Sequence, residues 1–161
     1  MDSLLYALIT GVGATVVMDL WGIVRQALLR VPAPNYGLVG RWLHGLAHGR
    51  FRHVATAISP PVRAERWIGW SAHYLLGIGF AALLLGACGL SWIREPTLAP
   101  AVLLGIGTVA VPFLVMQPLM GAGIAASRTP HPAAARLQSL ITHGVFGLGL
   151  YASGWVASLL Q

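Results

Sequence analysis

Four polar residues interrupt apolar segments of this chain, and their side chains could hold a ligand, a proton or a metal ion. They are a carboxylate, two imidazoles and an amide: Asp19, His73, Gln117 and His143. A charge in the middle of a membrane helix costs about 2.5–3.5 kcal/mol, so it is expected to face protein or a wet cavity and to have a partner. A histidine can be that partner, by a hydrogen bond or as the imidazolium. We therefore expect the four side chains to form one buried polar centre.

Three roles for this centre remain open from the residues alone. It could lock helix packing in a non-catalytic scaffold or accessory subunit, or it could bind or move a small ligand, a proton or a cation. It could also hold a metal, because two histidines and a carboxylate recur around iron and zinc, or a haem b with His73 and His143 as axial ligands. The sequence has neither a CxxCH haem-attachment motif nor a G-x-S-x-G nucleophile motif, so we assign no catalytic residue.

A second group of histidines lies in the longest loop. His44 and His48 have the i, i+4 spacing of a metal pair, and His53 follows closely. No acid or cysteine accompanies them, so we favour ordinary interfacial residues over a metal site.

The elements that must position the polar centre are four long apolar runs, at about 4–26, 67–90, 99–124 and 137–160. Each is long enough for a membrane helix, which needs roughly 20 apolar residues. Backbone groups in lipid must be hydrogen-bonded within the segment, so these runs are predicted to be helices. With 57% hydrophobic and 9% charged residues, the composition agrees with an all-α integral membrane protein with a single domain over 1–161.

Arginine placement predicts the orientation. Nine of the ten arginines flank or fill the first and third loops: Arg25, Arg30, Arg41, Arg50, Arg52, Arg63, Arg66, Arg128 and Arg136. Positive loops stay cytoplasmic, so both termini are predicted to face the periplasm or the exterior of a bacterial inner membrane. The net charge of +6 is thereby explained by topology and by contact with anionic inner-leaflet lipids, with no need for nucleic acid.

The first loop contains the predicted extramembrane structure. The turn "PAPNYG" precedes "LVGRWLHGLAHGRFRH", in which Val39, Trp42, Leu43 and Leu46 share one side of a helix. This pattern is typical of a short amphipathic helix on the inner leaflet, within an insertion at about 31–58.

An internal repeat becomes visible when the chain is aligned with itself at an offset of seventy. The segment 59–79 then lies over 129–149 without a gap and shares the pattern [ST]-P-x5-R-x6-H-x3-G-x-G, which pairs His73 with His143. The other spans match more loosely and pair Asp19 with Gln117. Each half, about 1–90 and 98–161, contains two spans, so the fold is predicted to be a two-fold parallel repeat of a helix pair. A four-span carrier of this kind would need a homodimer.

Depth along the helices agrees with a shared polar layer. At 1.5 Å per residue, Asp19 lies about 9 Å beyond Arg25, and each span histidine about 10 Å beyond its own arginine. Gln117 lies about 16 Å from Arg128, somewhat deeper.

The chain also resembles a bacterial membrane family catalogued as domain of unknown function 2938. The resemblance rests on five segments that together extend over nearly the whole chain: "GVGATVVMDLW", "NYGLVGRWLHGLAHGRFRH", "PPVRAERWIGWSAHYLLGI", "FLVMQPLMGAGIAASRTPHP" and "ARLQSLITHGVFGLGLY". It implies a bacterial inner-membrane protein with four spans. It carries over no reaction, cofactor or functional residue, so function has to be argued from the polar centre.

Overall fold

The structure is a computed structural model that describes residues 3–50 and 56–160, and within these ranges it is helical and contains no strand. The elements in chain order are α1 (Ser3–Leu29), α2 (Tyr36–Ala47), a 3-10 turn (Thr56–Ile58), α3 (Glu65–Cys88), α4 (Ser91–Arg94), α5 (Leu98–Gly107), a π-helix (Pro112–Met116), α6 (Gln117–Leu119), a second 3-10 turn (Ile124–Ala126) and α7 (Pro132–Ser158). The predicted all-α fold is confirmed.

Four helices with the predicted length and hydropathy are also found. Among residues 3–50 and 56–160, four helical stretches are long and apolar enough to cross a membrane: Ser3–Leu29, Glu65–Cys88, Leu98–Leu119 and Pro132–Ser158. The third ends at Leu119, earlier than the predicted position near 124. The reason is local, because Gly121 and Gly123 have φ values of 95° and 76°, which a right-handed helix does not contain.

A glycine and a proline also determine where two other helices end and begin. Gly89 ends α3 with a φ of 78°, and its N–H donates to the Leu85 carbonyl at 2.8 Å. A glycine in this left-handed conformation is a common helix stop. Pro132 begins α7, where its missing N–H costs nothing.

The chain divides into two compact units, and each contains segments of both predicted repeat halves. The first unit consists of Met1–Ala33, Tyr74–Thr108 and Leu140–Gln161. Its core is apolar, with fully buried Leu84, Ile93 and Leu150. Spans approach each other closely at glycines in this unit: a Cβ on Gly11 would lie 2.5 Å from Ile78 Cα, and one on Gly147 would lie 2.8 Å from Val102 Cα. Small residues permit such backbone contact between membrane helices.

The second unit consists of Pro34–His73 and Val109–Ser139. Its helix α2 begins at Asn35, whose side-chain Oδ1 accepts the Gly37 N–H at 3.1 Å. Gly40 and Gly69 let α2 lie directly against the start of α3, because a Cβ on either glycine would collide with the backbone of the other helix.

The apolar side of α2 is covered by protein rather than left for lipid. Trp42 is only 6% exposed, and Val39, Leu43 and Leu46 are all half-buried. The amphipathic pattern predicted in the sequence is therefore satisfied by packing against protein. The location of α2 on the inner leaflet stays a prediction.

Candidate functional site

Asp19 lies on α1 and accepts a hydrogen bond from a tyrosine of the neighbouring span. The Tyr74 hydroxyl on α3 donates to Asp19 Oδ2 at 3.0 Å, and both residues are half-buried. The helical spacing of Gly11, Thr15 and Asp19 explains why the carboxylate faces α3. Gly11 packs on the backbone of α3 and Gly77 packs on Thr15, so Asp19, one turn further along α1, points at the same helix.

His143 forms a comparable pair between the third and fourth spans. Thr108 Oγ1 lies 2.6 Å from the Gly105 carbonyl and 2.8 Å from His143 Nδ1. A threonine hydroxyl has one proton, and a carbonyl can only accept. Because the Thr108 hydroxyl donates its proton to the Gly105 carbonyl, its oxygen must accept the hydrogen bond from His143 Nδ1. In a neutral imidazole, Nε2 is then the nitrogen without a proton.

His73 belongs to an aromatic group in the second unit. Its ring stacks on Tyr36 with 4.2 Å between centroids, and the Tyr36 hydroxyl oxygen lies 3.0 Å from His73 Nε2. Trp70, one turn earlier on α3, contacts the same imidazole edge-on, with 5.8 Å between the ring centroids. The Trp70 ring is also tilted against the Tyr36 ring, with 4.6 Å between their centroids. The first residue of α2 thus holds the histidine in a fixed orientation.

Gln117 begins α6, directly after the π-helix. Its side-chain Oε1 is buried and has no hydrogen-bond partner in the structure. Prolines on both sides of it, Pro112 and Pro118, remove two main-chain donors from this part of the third span.

The four sequence-predicted residues are distributed over both units. Asp19 and His143 belong to the first unit, and His73 and Gln117 to the second. Their convergence into one centre stays a prediction. What the structure adds is a hydroxyl beside each ionisable member: Tyr74, Thr108 and Tyr36. These three residues could not be singled out from the sequence, because a tyrosine or threonine in an apolar run carries no charge.

Arg25, the arginine nearest to Asp19 along α1, is buried, with only 7% of the residue exposed. Its guanidinium donates to Thr142 Oγ1 at 3.3 Å and to the Pro32 carbonyl at 3.5 Å. A buried guanidinium at the end of α1 is therefore part of the packing between α1 and α7.

Two of the three loop histidines, His44 and His48, contact each other. The rings of His44 and His48 stack with 4.2 Å between centroids, and His48 Nδ1 donates to the His44 carbonyl at 2.8 Å. His53 lies outside the described residues. Within residues 3–50 and 56–160, no group of three histidine, cysteine, aspartate or glutamate side chains is arranged to hold a metal ion.

An ion pair fixes α2 to the first residue of α3. Arg41 Nε donates to Glu65 Oε2 at 2.8 Å and its terminal nitrogen to Oε1 at 2.9 Å, while its other nitrogen donates to the carbonyls of Thr56 and Ser59. The hydrogen bond to Glu65 raises the pKa of the Arg41 guanidinium above its usual value. The two-pronged geometry suits arginine and cannot be reproduced by lysine.

Comparison with known proteins adds a family. No curated protein and no solved structure matches this chain. Residues 8–157 match the family described as protein of unknown function DUF2938. This matched range includes every candidate residue discussed above. The chain therefore belongs to the DUF2938 family, as the resemblance of its sequence segments implied.

Proposed function

We propose that this protein binds and transfers protons within the membrane, through the ionisable side chains of its spans, and so couples proton movement to a small ligand or ion. The observation that carries the proposal is the Tyr74–Asp19 hydrogen bond of 3.0 Å between two apolar spans. A carboxylate in such a place is costly and is a default candidate for a proton relay or an ion site.

The partners of the ionisable groups support this role. Asp19 and both span histidines have a hydroxyl oxygen at 2.8–3.0 Å, and hydroxyls can both donate and accept a proton. A neutral imidazole has one nitrogen that donates and one that accepts, so His73 and His143 can each receive a proton on one side of the ring and release one on the other.

The contacts of two glycines support the parallel repeat that this role would use. Gly77 and Gly147 are seventy residues apart and occupy the same place in the repeat pattern. Gly77 packs against Gly11 and Thr15 of the first span, and Gly147 packs against Val102 of the third. Equivalent positions thus join span one to span two and span three to span four. We infer that the repeat gives His73 and His143 equivalent positions in its two halves.

The cellular setting that we propose follows from the charges. The protein lies in a bacterial inner membrane with both termini outside the cytoplasm, the loop arginines on anionic lipids, and a second copy of the chain completing the transport path.

A structural lock is the competing role, and the Arg25–Thr142 contact favours it. This hydrogen bond of 3.3 Å joins α1 to α7 through a guanidinium and a hydroxyl, and such a contact stabilises helix packing without any transfer of a proton. If the Asp19 carboxylate acts in the same way, its charge is dispensable.

Replacing Asp19 by asparagine separates the two roles. The purified full chain would be reconstituted in proteoliposomes, and proton flux would be followed with an internal pH dye under an imposed membrane potential. We expect flux in the parent, its loss in Asp19→Asn, and no loss in Glu95→Gln, which neutralises an exposed carboxylate between α4 and α5. Parental flux in Asp19→Asn, at equal or higher thermal stability, would leave only the structural lock. A parent without flux, and without proton uptake that depends on Asp19, would end the proton proposal.

A further inference from the structure

The third span is interrupted in its second half. Within the stretch Leu98–Leu119, the α-helix α5 ends at Gly107, and a π-helix follows from Pro112 to Met116. The Gln117 N–H donates to the Pro112 carbonyl, five residues back, where an α-helix would use the Phe113 carbonyl. Single π-turns of this kind are rare and frequently mark functional sites.

The interruption takes the α-helical donor away from two carbonyls. The Phe113 carbonyl loses its α-helical donor because the Gln117 N–H bonds to Pro112, and its π-helical donor would be Pro118, which has no N–H. The Leu114 carbonyl would take its α-helical bond from the same proline. Backbone that is freed in this way inside a membrane protein needs another polar partner.

The Gln117 side chain brings a third oxygen to the same turn. Side chains on a helix lean toward its N-terminus, so we expect the Gln117 amide to lie over the turn that contains Phe113 and Leu114. Its Oε1 is buried and has no hydrogen-bond partner. A buried acceptor left unsatisfied is unfavourable, so a donor or a cation is expected beside it.

We propose that Gln117 Oε1 and the carbonyls of Phe113 and Leu114 bind an alkali cation, Na⁺ or K⁺. All three groups are neutral oxygen acceptors, and such oxygens replace the hydration shell of these ions in membrane proteins. Unwound carbonyls of interrupted spans coordinate Na⁺ in secondary transporters for the same reason. A neutral oxygen set suits a monovalent ion, because divalent ions usually require carboxylates.

A further oxygen is held close to the end of this element. The Thr56 N–H donates to the Met120 carbonyl at 3.1 Å, one turn beyond Gln117. Thr56 is 1% exposed, and its Oγ1 has no hydrogen-bond partner in the structure. A hydroxyl can ligate an alkali cation, so Thr56 is the next oxygen that the ion could recruit.

This site does not depend on the proton proposal. It lies in the second unit and uses no ionisable group, whereas Asp19 and Tyr74 lie in the first. Cation binding can therefore be lost while proton transfer persists, and the reverse also holds.

The experiment measures equilibrium binding of radioactive sodium to the full chain in nanodiscs, with potassium as competitor. Thermal unfolding is followed beside it in sodium, potassium and choline chloride at one ionic strength. We expect sodium or potassium to raise the melting temperature above that in choline, because a ligand that binds the folded state stabilises it. Gln117→Leu should weaken binding about tenfold or more, and Gln117→Glu should strengthen it by a similar factor. Gln26→Leu, which removes an exposed amide from α1, should bind as the parent does.

The outcomes separate an ion from a trapped water molecule. Equal melting temperatures in all three salts, together with no specific sodium or potassium binding, would leave water as the occupant and overturn the proposal. Unchanged affinity in Gln117→Leu would overturn the assignment of the site. If the leucine variant does not fold, Gln117→Glu decides, since a carboxylate at a real cation site must bind the ion more tightly. Pro118→Ala restores a donor for the Leu114 carbonyl and should also weaken binding.

Discussion

Tyr74 and Asp19 join the first two spans directly, through a hydrogen bond of 3.0 Å from the phenol to Oδ2 of the carboxylate. A double-mutant cycle with Asp19→Ala and Tyr74→Phe should give a coupling of about 0.5–2 kcal/mol in unfolding free energy, the range of hydrogen bonds between membrane helices. Thermal or chemical unfolding in nanodiscs measures it. Additive effects of the two substitutions would contradict a direct contact.

Three glycines on two spans provide a graded test of the packing. Gly147→Ala should be destabilising by about 1–3 kcal/mol, because the new methyl group would lie 2.8 Å from the Val102 backbone, which cannot move easily. Gly77→Ala should cost less, since it meets the Thr15 side chain.

Gly79 is the matched control for these two, on the same span as Gly77. Nothing lies within 4 Å of a Cβ placed there, so Gly79→Ala should be neutral or stabilise by up to about 1 kcal/mol through helix propensity. Equal losses at Gly79 and Gly147 would contradict the described contacts.

Thr108 is expected to orient His143 rather than merely to fill space. Thr108→Val keeps the shape but removes the hydroxyl that contacts Nδ1, so it should weaken proton transfer. Thr108→Ser keeps the hydroxyl and should retain most of the activity. The flux assay described above compares the two variants, and thermal unfolding controls for the fold. Equal proton flux in Thr108→Val and Thr108→Ser would show that the Thr108 hydroxyl does not orient His143 for proton transfer.

The contact between Arg41 and Glu65 should depend on the guanidinium group, which bonds both carboxylate oxygens at once. Arg41→Lys retains the charge but cannot bond both carboxylate oxygens and the Thr56 and Ser59 carbonyls together, so the contact between α2 and α3 should loosen. Amide hydrogen exchange in α2 and around Ser59 is expected to accelerate. Arg63→Lys, at an exposed arginine of the same loop, should leave exchange unchanged.

Membrane orientation is tested by reporter fusions. Alkaline phosphatase fused after Gln161 should be active and fused near Arg50 inactive, because arginine-rich loops are retained in the cytoplasm. The opposite pattern would reverse the topology and with it the side from which the polar groups are approached.

The sequence alone determined four long apolar helices, because an apolar segment that can enter a bilayer must hydrogen-bond its own backbone and therefore forms a helix. It also singled out Asp19 and the two span histidines, since a charge that is costly in lipid is conspicuous in an apolar run. Family membership likewise followed from local segments.

Only the tertiary structure decided which groups these residues meet. Tyr74 became the partner of Asp19, and Thr108 that of His143, through contacts between different spans that no local pattern encodes. The covering of Trp42 and the burial of Arg25 were decided in the same way. An amphipathic helix or a flanking arginine has the same sequence pattern whether lipid or protein covers it, and packing between distant segments determines which one does.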